Sequence, residues 1–153
     1  MGNYEQAISL IFENIEMMDY FGECSDSLIR LAEEALGVRY PDDYRDFVSR
    51  FGAGNFGSSE IYGVFKEDFE NSSVPDSVWL TLLEREEIGL PHYLVIIYEL
   101  GNGELYCLNY DKLNSVGEPT VTAFVPNGKP NTDEILYESF GDFLLNIVTG
   151  ELE

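Results

Sequence analysis

The spacing of apolar residues changes along the chain, and this change restricts the fold more than any other feature of the sequence. Up to about residue 51 the apolar residues recur three and four positions apart, which is typical of helices packed on a core. From about residue 60 they alternate or form short unbroken runs, which is typical of strands. The sequence therefore predicts an α+β fold with N-terminal helices, a mostly antiparallel β-sheet meander and a closing C-terminal helix.

Three helices are predicted in the first third of the chain. Ser25, Asp26 and Ser27 offer N-cap oxygens for the second helix, and Gly37 is placed to end it. Pro41 is expected to open the third helix and Gly52 to end it. The predicted helices and their inward residues are 4–18 with Ile8, Ile11, Phe12, Ile15 and Met18, 28–36 with Leu28, Leu31, Ala32 and Ala35, and 42–51 with Tyr44, Phe47, Val48 and Phe51.

Four strands are predicted after residue 60. The turn signal Gly101-Asn102-Gly103 predicts a hairpin, because Gly and Asn tolerate positive φ. The turn Pro126-Asn127-Gly128 is expected to close the last strand. The predicted strands are 61–65, 93–100, 104–110 and 120–125.

Two further helices accompany the predicted strands. Asp76 is expected to cap a helix over about 77–87, and Ser139 a closing helix over about 139–149 that ends at Gly150. The residues expected to face inward are Val78, Trp79, Leu82 and Leu83 in the first, and Phe140, Phe143, Leu144, Ile147 and Val148 in the second.

Length and charge limit the functional class. The 153 residues are the usual length of one domain, so residues 1–153 are predicted to form a single domain. Eight Lys and Arg residues against 29 Asp and Glu residues give a formal net charge of −21. This charge argues against nucleic acid or an anionic membrane as the partner and favours capture of a basic protein. The alternative is that the acidity serves only solubility.

The cysteines and the N-terminus indicate the compartment. Cys24 and Cys107 form neither a CxxC pair nor a disulfide framework, which favours a reducing environment. The first residues lack the basic and apolar regions of a signal peptide, and the longest apolar run, 93–98, is too short to span a bilayer. We expect a cytoplasmic protein.

The sequence offers no constellation that is typical of catalysis. His92 is the single histidine and is expected to be an exposed loop residue. Cys24 and Cys107 lie in different predicted elements, so a shared zinc site lacks both spacing and ligands. The Gly-rich segment 52–57 follows a helix and has no lysine, unlike a phosphate-binding loop, so its glycines are expected to form a C-cap and a tight crossing. We predict no catalytic residue, cofactor or metal, and therefore a non-enzymatic protein.

Aromatic residues are frequent in the predicted sheet and suggest a binding surface. Tyr62, Tyr98 and Tyr106 are expected to contribute an aromatic contact face. The acidic residues expected to rim the same region are Glu67, Asp68, Glu70, Glu84, Glu86 and Glu87. The alternatives are that the tyrosines are simply favoured in strands and that the acidic runs are solvated faces.

Short motifs along the chain together resemble the SUKH superfamily. They are Leu36-Gly37, Pro41, Asp43-Tyr44, Phe47-Val48, Phe51-Gly52 and Gly54, then Ile61-Tyr62-Gly63-Val64, Leu90-Pro91, Gly101-Asn102-Gly103 with Leu105 and Leu108, and finally Ser139-Phe140 with Phe143-Leu144. The resemblance covers roughly residues 25–149. Tyr40 replaces the usual Leu before Pro41, and Asn102 stands where the family often has Asp; neither change threatens the fold.

The resemblance implies a fold and a role. The superfamily includes yeast cell-wall synthesis regulators and many bacterial immunity proteins, so an α+β fold without catalysis is implied. In bacteria it implies neutralisation of a secreted or contact-delivered toxin, often a nuclease. We therefore predict a non-catalytic immunity protein or antitoxin with a cognate basic toxin as its partner.

Two other hypotheses stay open at this point. One is a regulatory protein-interaction module similar to the yeast members, which carry the domain inside longer chains. The other is an enzyme with an unrecognised site, which would need a strongly perturbed carboxylate in a deep pocket. The toxin's identity, the contact residues and the oligomeric state are open as well.

Overall fold

The computed structural model describes residues 2–126 and 134–153. Within these ranges the chain forms helices and antiparallel strands with a helix at the C-terminus, which confirms the predicted α+β class. The Asn127-Gly128 part of the predicted closing turn lies outside the described residues. The helices are α1 (Asn3–Glu13), α2 (Asp26–Leu36), α3 (Asp42–Phe51), α4 (Ser77–Glu87) and α5 (Phe140–Leu152), and the strands are β1 (Met18–Tyr20), β2 (Gly54–Phe56), β3 (Ser59–Ile61), β4 (Leu94–Glu99), β5 (Leu105–Leu113), β6 (Pro119–Phe124) and β7 (Ile135–Tyr137).

The first helix ends earlier than predicted. Both the backbone N–H and the side-chain amide of Asn14 donate to the Leu10 carbonyl, 3.1 and 2.9 Å away, and Asn14 leaves the helical conformation. A 3₁₀ turn at Ile15–Met17 follows, and Met18 then begins β1. The predicted helix over 14–18 is therefore wrong, because an Asn side chain competes for the backbone groups that would continue it.

Both predicted ends of α3 and the predicted C-terminal end of α2 are confirmed, whereas α2 begins at Asp26, two residues earlier than predicted, because Ser25 is the residue that caps it. The Ser25 hydroxyl accepts a hydrogen bond from the Leu28 N–H at 3.2 Å, and Gly37 ends α2 with φ 74°. Pro41 precedes α3, and Gly52 follows it with φ 75°. All four residues predicted to face inward from α3 are buried: Tyr44, Phe47, Val48 and Phe51.

Other predicted helix faces are rotated. Phe12 and Ile15, predicted to face inward, are 50% and 39% exposed, and Leu31 is 43% exposed. These segments carry two apolar stripes side by side, and spacing alone does not choose between them. The predicted residues Ile8, Ile11 and Ala32 are buried, and the buried faces also include Ala7 in α1 and Ile29 and Leu36 in α2, which were not predicted.

The smaller sheet has the order β1-β2-β3. Strand β3 lies at Ser59–Ile61 rather than over the predicted range 61–65. Its hairpin partner β2 begins inside the Gly-rich segment, and pairing with β2 determines where β3 forms. The predicted tight crossing is confirmed. A Cβ on Gly54 would meet the backbone of Tyr20 in β1, and one on Gly63 would meet the Gly52 carbonyl oxygen.

The larger sheet has the order β4-β5-β6-β7 and contributes residues to two core clusters. The turn over residues 101–103 joins β4 to β5 as predicted, and β7 was not predicted. Val95, Ile97 and Leu108 belong to the main core with α1, α2, α3 and α5, whereas Ile96 and Cys107 belong to a second cluster that includes Leu80 of α4.

Helix α4 covers the β4 edge of this sheet. Asp76 caps the helix as predicted, its Oδ1 accepting from the Trp79 N–H at 3.0 Å. The Ser77 hydroxyl donates to the Ile96 carbonyl, and the Ile96 N–H donates to the Thr81 hydroxyl at 3.0 Å. These bonds turn the Ser77 and Thr81 side of α4 inward. Trp79, Leu82 and Leu83, which were predicted to face inward, are consequently only half-buried.

The closing helix is longer than predicted. Ser139 caps α5 through its hydroxyl, which accepts from the Asp142 N–H at 3.1 Å. The helix continues through Gly150 to Leu152 rather than ending at Gly150. The Glu151 carboxylate accepts hydrogen bonds from the Ser58 N–H at 3.1 Å and from the Ser59 hydroxyl at 2.6 Å, which hold the last turn against the β2–β3 hairpin. Of the predicted inward residues, Phe140, Phe143, Leu144 and Val148 are buried and Ile147 is half-buried.

Candidate partner-binding cleft

Two of the predicted tyrosines line a cleft between the β2–β3 hairpin and the turn that joins β4 to β5. The Tyr62 N–H donates to the Ile97 carbonyl at 2.9 Å, so the chain after β3 runs beside the end of β4. The cleft has a volume of about 560 Å³. We name it the tyrosine cleft, and its lining residues are Ser58, Glu60, Tyr62, Tyr98, Glu99, Leu100, Gly101 and Asn102.

Tyr62 is a fixed wall of this cleft. Its side chain is only 5% exposed, so the expectation of an exposed aromatic surface is wrong at this position. Its carbonyl accepts a hydrogen bond from the Tyr44 hydroxyl at 2.8 Å. Burial, with the Glu99 and Glu60 carboxylates nearby, raises the pKa of Tyr62 to about 12. The phenol therefore stays neutral beside two carboxylates at neutral pH.

Tyr98 and Tyr106 are half-buried and lie opposite each other on β4 and β5. Their ring centroids are 5.7 Å apart. Both rings also contact the Phe143 ring of α5 in edge-on geometry, at 5.4 and 6.1 Å. Tyr106 therefore adjoins the cleft through Tyr98, and both rings are held by the core while part of each stays accessible. Tyr98 and Tyr106 thus pack on the core as strand residues, and the accessible part of each ring is free to contact a partner.

The cleft combines these rings with acidic side chains. Glu60 and Glu99 line it, and Glu104 lies close enough to Tyr106 to contribute to the raised pKa of that phenol, after burial and Tyr137. The ion pairs among the described residues are Arg45–Glu33 and Arg50–Asp46, and neither includes a residue of the cleft. The carboxylates at the cleft therefore have no positive partner within the described parts of the chain.

A further carboxylate belongs to the same acidic region. Burial and the neighbouring Glu87 and Glu99 raise the pKa of Glu84, which lies near the C-terminal end of α4. Nearby like charges disfavour the ionised form of a carboxylate, so the Glu84 side chain lies in a locally acidic environment.

The structure divides the predicted acidic rim into two groups. Glu67, Asp68 and Glu70 are exposed in the segment that leads to α4, where Asp68 accepts from the Asn71 side chain at 2.9 Å. That hydrogen bond is the main reason why the pKa of Asp68 is lowered. From the N-cap residue Asp76 to Glu84 the helix rises by about 12 Å. The two groups thus lie towards opposite ends of α4.

Within the second group, the three glutamates are not equivalent. Glu84 interacts electrostatically with Glu87 and, across to β4, with Glu99. Glu86 instead lines a separate depression with Glu34, Arg85 and His92. None of the six predicted acidic residues lines the tyrosine cleft, and Glu84 is linked to it only through its electrostatic interaction with Glu99.

Sequence reasoning missed the acidic residues that are closest to the tyrosines. Glu60, Glu99 and Glu104 were not among the predicted binding residues. A signal was present, since Glu60 precedes Tyr62 by two positions and Glu99 and Glu104 flank the hairpin turn. Weighting acidic residues by their distance from the tyrosines along the predicted strands would have selected them.

The residues considered for catalysis lie apart from the cleft. His92 is exposed, as predicted, and both cysteines are buried. Burial raises the pKa of the Cys107 thiol and raises that of Cys24 to about 11, so neither is a reactive thiolate at neutral pH. Among residues 2–126 and 134–153 no group of three or more His, Cys, Asp and Glu could hold a metal ion. In the same ranges no helix has the length and apolar character needed to cross a membrane.

The structure is an α+β fold with an acidic cleft lined by tyrosines. The chain belongs to the SMI1-KNR4 cell-wall family, SUKH_5, whose model matches residues 5–149. The predicted resemblance to the SUKH superfamily is thereby confirmed, and the match extends further towards the N-terminus to include α1. No curated protein sequence matches the chain.

Proposed function

We propose that the protein is an immunity protein that binds and neutralises a basic toxin, of the nuclease class, without catalysing a reaction. The observation that carries this proposal is the tyrosine cleft, where Glu60 and Glu99 lie beside Tyr62 and Tyr98 with no internal countercharge among the described residues. Membership of a family that includes immunity proteins supports the same role.

The chemistry of the cleft fits a Lys or Arg side chain of the partner. A carboxylate gives a strong charge-assisted hydrogen bond to an ammonium or guanidinium group, and an aromatic ring attracts the same cation. A nuclease must carry such residues to bind phosphates. An acidic protein that occupies those residues competes directly with the nucleic acid, so inhibition follows from binding alone.

The charge of the whole chain supports fast capture. A net charge of −21 attracts a basic partner over distances comparable to the Debye length, and such steering raises association rates. This matters for immunity, because a toxin must be bound before it reaches its target. We place this action in the cytoplasm, where the nucleic acid targets of such a toxin are found.

Co-expression tests the proposal directly. The chain is produced together with the product of a neighbouring toxin-like gene, and growth is compared with the toxin alone. We expect growth to be restored, a stable complex to be purified and the activity of the purified toxin to be blocked. Continued growth arrest with a soluble, folded chain would contradict the proposal.

Charge-neutral variants test the role of the cleft. Glu60→Gln combined with Glu99→Gln should weaken the complex, whereas the matched control Asp111→Asn should leave it unchanged. Asp111 is exposed on β5 and lies seven residues along the chain from Glu104, outside the cleft lining. Equal loss in both variants would mean that general acidity, rather than the cleft, provides the affinity.

The family description supports a second candidate function. A match to the SMI1-KNR4 cell-wall family is consistent with a regulatory interaction module whose partner is not a toxin. This candidate uses the same cleft but gives no protection from any toxin. Deleting the gene without a toxin present separates the two, because only a regulator would change cell-wall properties in that strain.

A further inference from the structure

A group of exposed large apolar residues, most of them aromatic, lies between the end of α1 and the residue after β1, away from the lining of the tyrosine cleft. Phe12 is 50% exposed, Ile15 39%, Tyr20 50% and Phe21 58%, and all four come from ten consecutive residues. Phe65 is half-buried beside them. We name these five residues the aromatic patch.

Ring contacts arrange the patch in two groups beside β1. The buried Phe51 ring lies between Phe12, at 6.0 Å, and Tyr20, at 5.2 Å. Phe21 follows Tyr20 directly and stacks on Phe65 with a centroid distance of 4.0 Å and an interplanar angle of 11°. The two groups meet at the consecutive residues Tyr20 and Phe21, so both flank the same end of the strand. Exposed apolar patches of this kind mark interaction sites.

The patch also lies at an open sheet edge. β1 is the edge strand of the β1-β2-β3 sheet and pairs only with β2 among the described residues. An unpaired edge strand presents free backbone N–H and C=O groups to an incoming chain. Aromatic side chains and an open edge together favour a protein partner over a small molecule.

Charge determines which partner fits. Glu13, Glu16, Asp19 and Glu23 are exposed among the aromatic residues, and none of them belongs to an ion pair of the described chain. The local cation is Arg50, which lies 5.9 Å from the Phe12 ring centre and is already paired with Asp46. The patch is therefore apolar with an acidic margin.

A second copy of this chain fits the patch poorly. Each copy carries a net charge of −21, so association brings two strongly like-charged surfaces together. An antiparallel pairing of two β1 edges centred on Asp19 would also place one Asp19 opposite the other, and like charges directly opposite are destabilising.

We infer that the aromatic patch is a docking surface for a protein segment that combines apolar side chains with Lys or Arg residues. Its apolar side chains cover Tyr20 and Phe21, and its cations meet the carboxylates of Glu16 and Asp19. This inference goes beyond the proposed function, because it holds for a toxin and for any other partner of that chemistry. The patch and the tyrosine cleft are two separate binding surfaces.

Synthetic peptides test the inference without a toxin, so its failure is distinct from failure of the immunity role. The probe is a short peptide that alternates Lys and Leu, compared with peptides in which Glu replaces Lys or Ser replaces Leu. Binding is followed by ¹⁵N–¹H chemical shifts and calorimetry. We expect the Lys-Leu peptide to bind most tightly and to shift the amides of residues 12–21 and 65.

Matched variants locate the site. Tyr20→Ser combined with Phe21→Ser should weaken binding of the Lys-Leu peptide by about tenfold or more, because burying one large apolar side chain is worth at least that factor. Glu16→Gln combined with Asp19→Asn should weaken it several-fold. The control Val116→Ser changes an exposed apolar residue, 74% exposed, outside the patch and should have no effect. Unchanged melting temperatures show that the variants are folded.

Three results would overturn the inference. One is equal affinity for the Lys-Leu and Lys-Ser peptides, which would mean that only charge attracts them. Another is a shift pattern confined to the tyrosine cleft. The third is a concentration-dependent dimer in sedimentation velocity that disappears in the Tyr20→Ser, Phe21→Ser variant, which would make the occupant a second copy.

Discussion

The hydroxyl of Tyr44 donates a hydrogen bond of 2.8 Å to the backbone carbonyl of Tyr62. Tyr44 is fully buried on α3, and Tyr62 is a wall of the tyrosine cleft. Burial raises the pKa of Tyr44 well above its usual range, so the hydroxyl remains a donor at any physiological pH. Helix α3, which carries much of the family motif, thereby holds the Tyr62 wall of the tyrosine cleft.

Removing this hydroxyl should loosen the cleft without breaking the core. Tyr44→Phe leaves the buried Tyr62 carbonyl without its partner, which should cost about 1–3 kcal/mol of unfolding free energy. Denaturant unfolding measures the loss. The control is Tyr137→Phe, since the Tyr137 hydroxyl bonds to the exposed Asn146 side chain and water can replace it. Equal losses in the two variants would contradict the role assigned to Tyr44.

Truncation of Phe47 should be more costly. The Phe47 side chain is fully buried, and its ring lies 5.3 Å from Phe51 and 5.5 Å from Phe140. Phe47→Ala removes these contacts and leaves a cavity, so we expect a loss of about 3–5 kcal/mol in unfolding free energy. Phe12→Ala, at a half-exposed ring, should cost far less. A Phe47→Ala variant that melts within a few degrees of the wild type would contradict the burial.

Sequence alone predicted the elements that are long and sharply bounded. Helices α3 and α4 were predicted with the right ends, because Pro41, Gly52 and Asp76 give local boundary signals that tertiary contacts do not override. The three-residue strands β1, β2 and β7 are too short to show a period. Their formation depends on a partner strand, as when Met18 pairs with Phe56, and no local pattern contains that information.

The binding site was predicted less completely for a related reason. The tyrosines on β4 and β5 were found because strands place alternate residues on one face. The acidic residues beside them come from β3 and from both sides of a turn, and only the fold brings Glu60 close to Glu99. The predicted rim residues Glu67, Asp68 and Glu70 follow Tyr62 closely in sequence, but they are not among the residues that line the cleft.

The crossing of two backbone segments at Gly63 should tolerate no side chain. A Cβ at this position would contact the Gly52 carbonyl oxygen and the Ala53 Cα, which lies 3.2 Å away, and neither atom can rotate aside. Gly63→Ala should therefore destabilise the protein strongly or prevent folding. Gly101→Ala is the matched control, since a Cβ there meets nothing within 4 Å. Thermal unfolding compares the two, and equal melting temperatures would show that the crossing can move.

Asp76 should make stability depend on pH in a defined direction. Asp76 is fully buried, and this burial raises its pKa above the usual value. The folded state therefore holds the proton more tightly than the unfolded state. Stability is lost as pH rises from the ordinary Asp pKa, near roughly 4, through the raised folded value.

Asp76→Asn tests this direction, because Asn is an equally good N-cap but has no charge. Other titrating groups are shared by the two proteins and cancel in the difference. We expect the unfolding free energy of the variant to increase relative to that of the wild type between roughly pH 3 and pH 7. Denaturant unfolding at several pH values measures the difference. A flat difference would mean that folding does not shift the pKa of Asp76, and a difference that falls with pH would mean that the folded protein stabilises the ionised carboxylate; either result contradicts the prediction.

Two pairs of charge reversals should distinguish long-range electrostatic attraction from direct contacts in the complex with the toxin. Glu67→Lys with Asp68→Lys changes exposed residues outside the cleft lining, whereas Glu60→Lys with Glu99→Lys changes the cleft itself. Both pairs should slow association, because each reduces the field that attracts a basic partner. The second pair should also speed dissociation, since it breaks direct contacts.

Salt should affect the two rates differently. Screening acts over a Debye length of about 8 Å at physiological ionic strength, so the association rate should fall steeply between roughly 50 and 500 mM salt while dissociation changes less. Surface plasmon resonance on the immobilised toxin gives both rates. The Glu67 and Asp68 reversals should leave the melting temperature nearly unchanged, because exposed charges contribute little to folding. If the association rate changes neither with salt concentration nor with charge reversal, the acidity serves solubility alone. The aromatic rings of Tyr98 and Tyr106 would then have to provide the affinity.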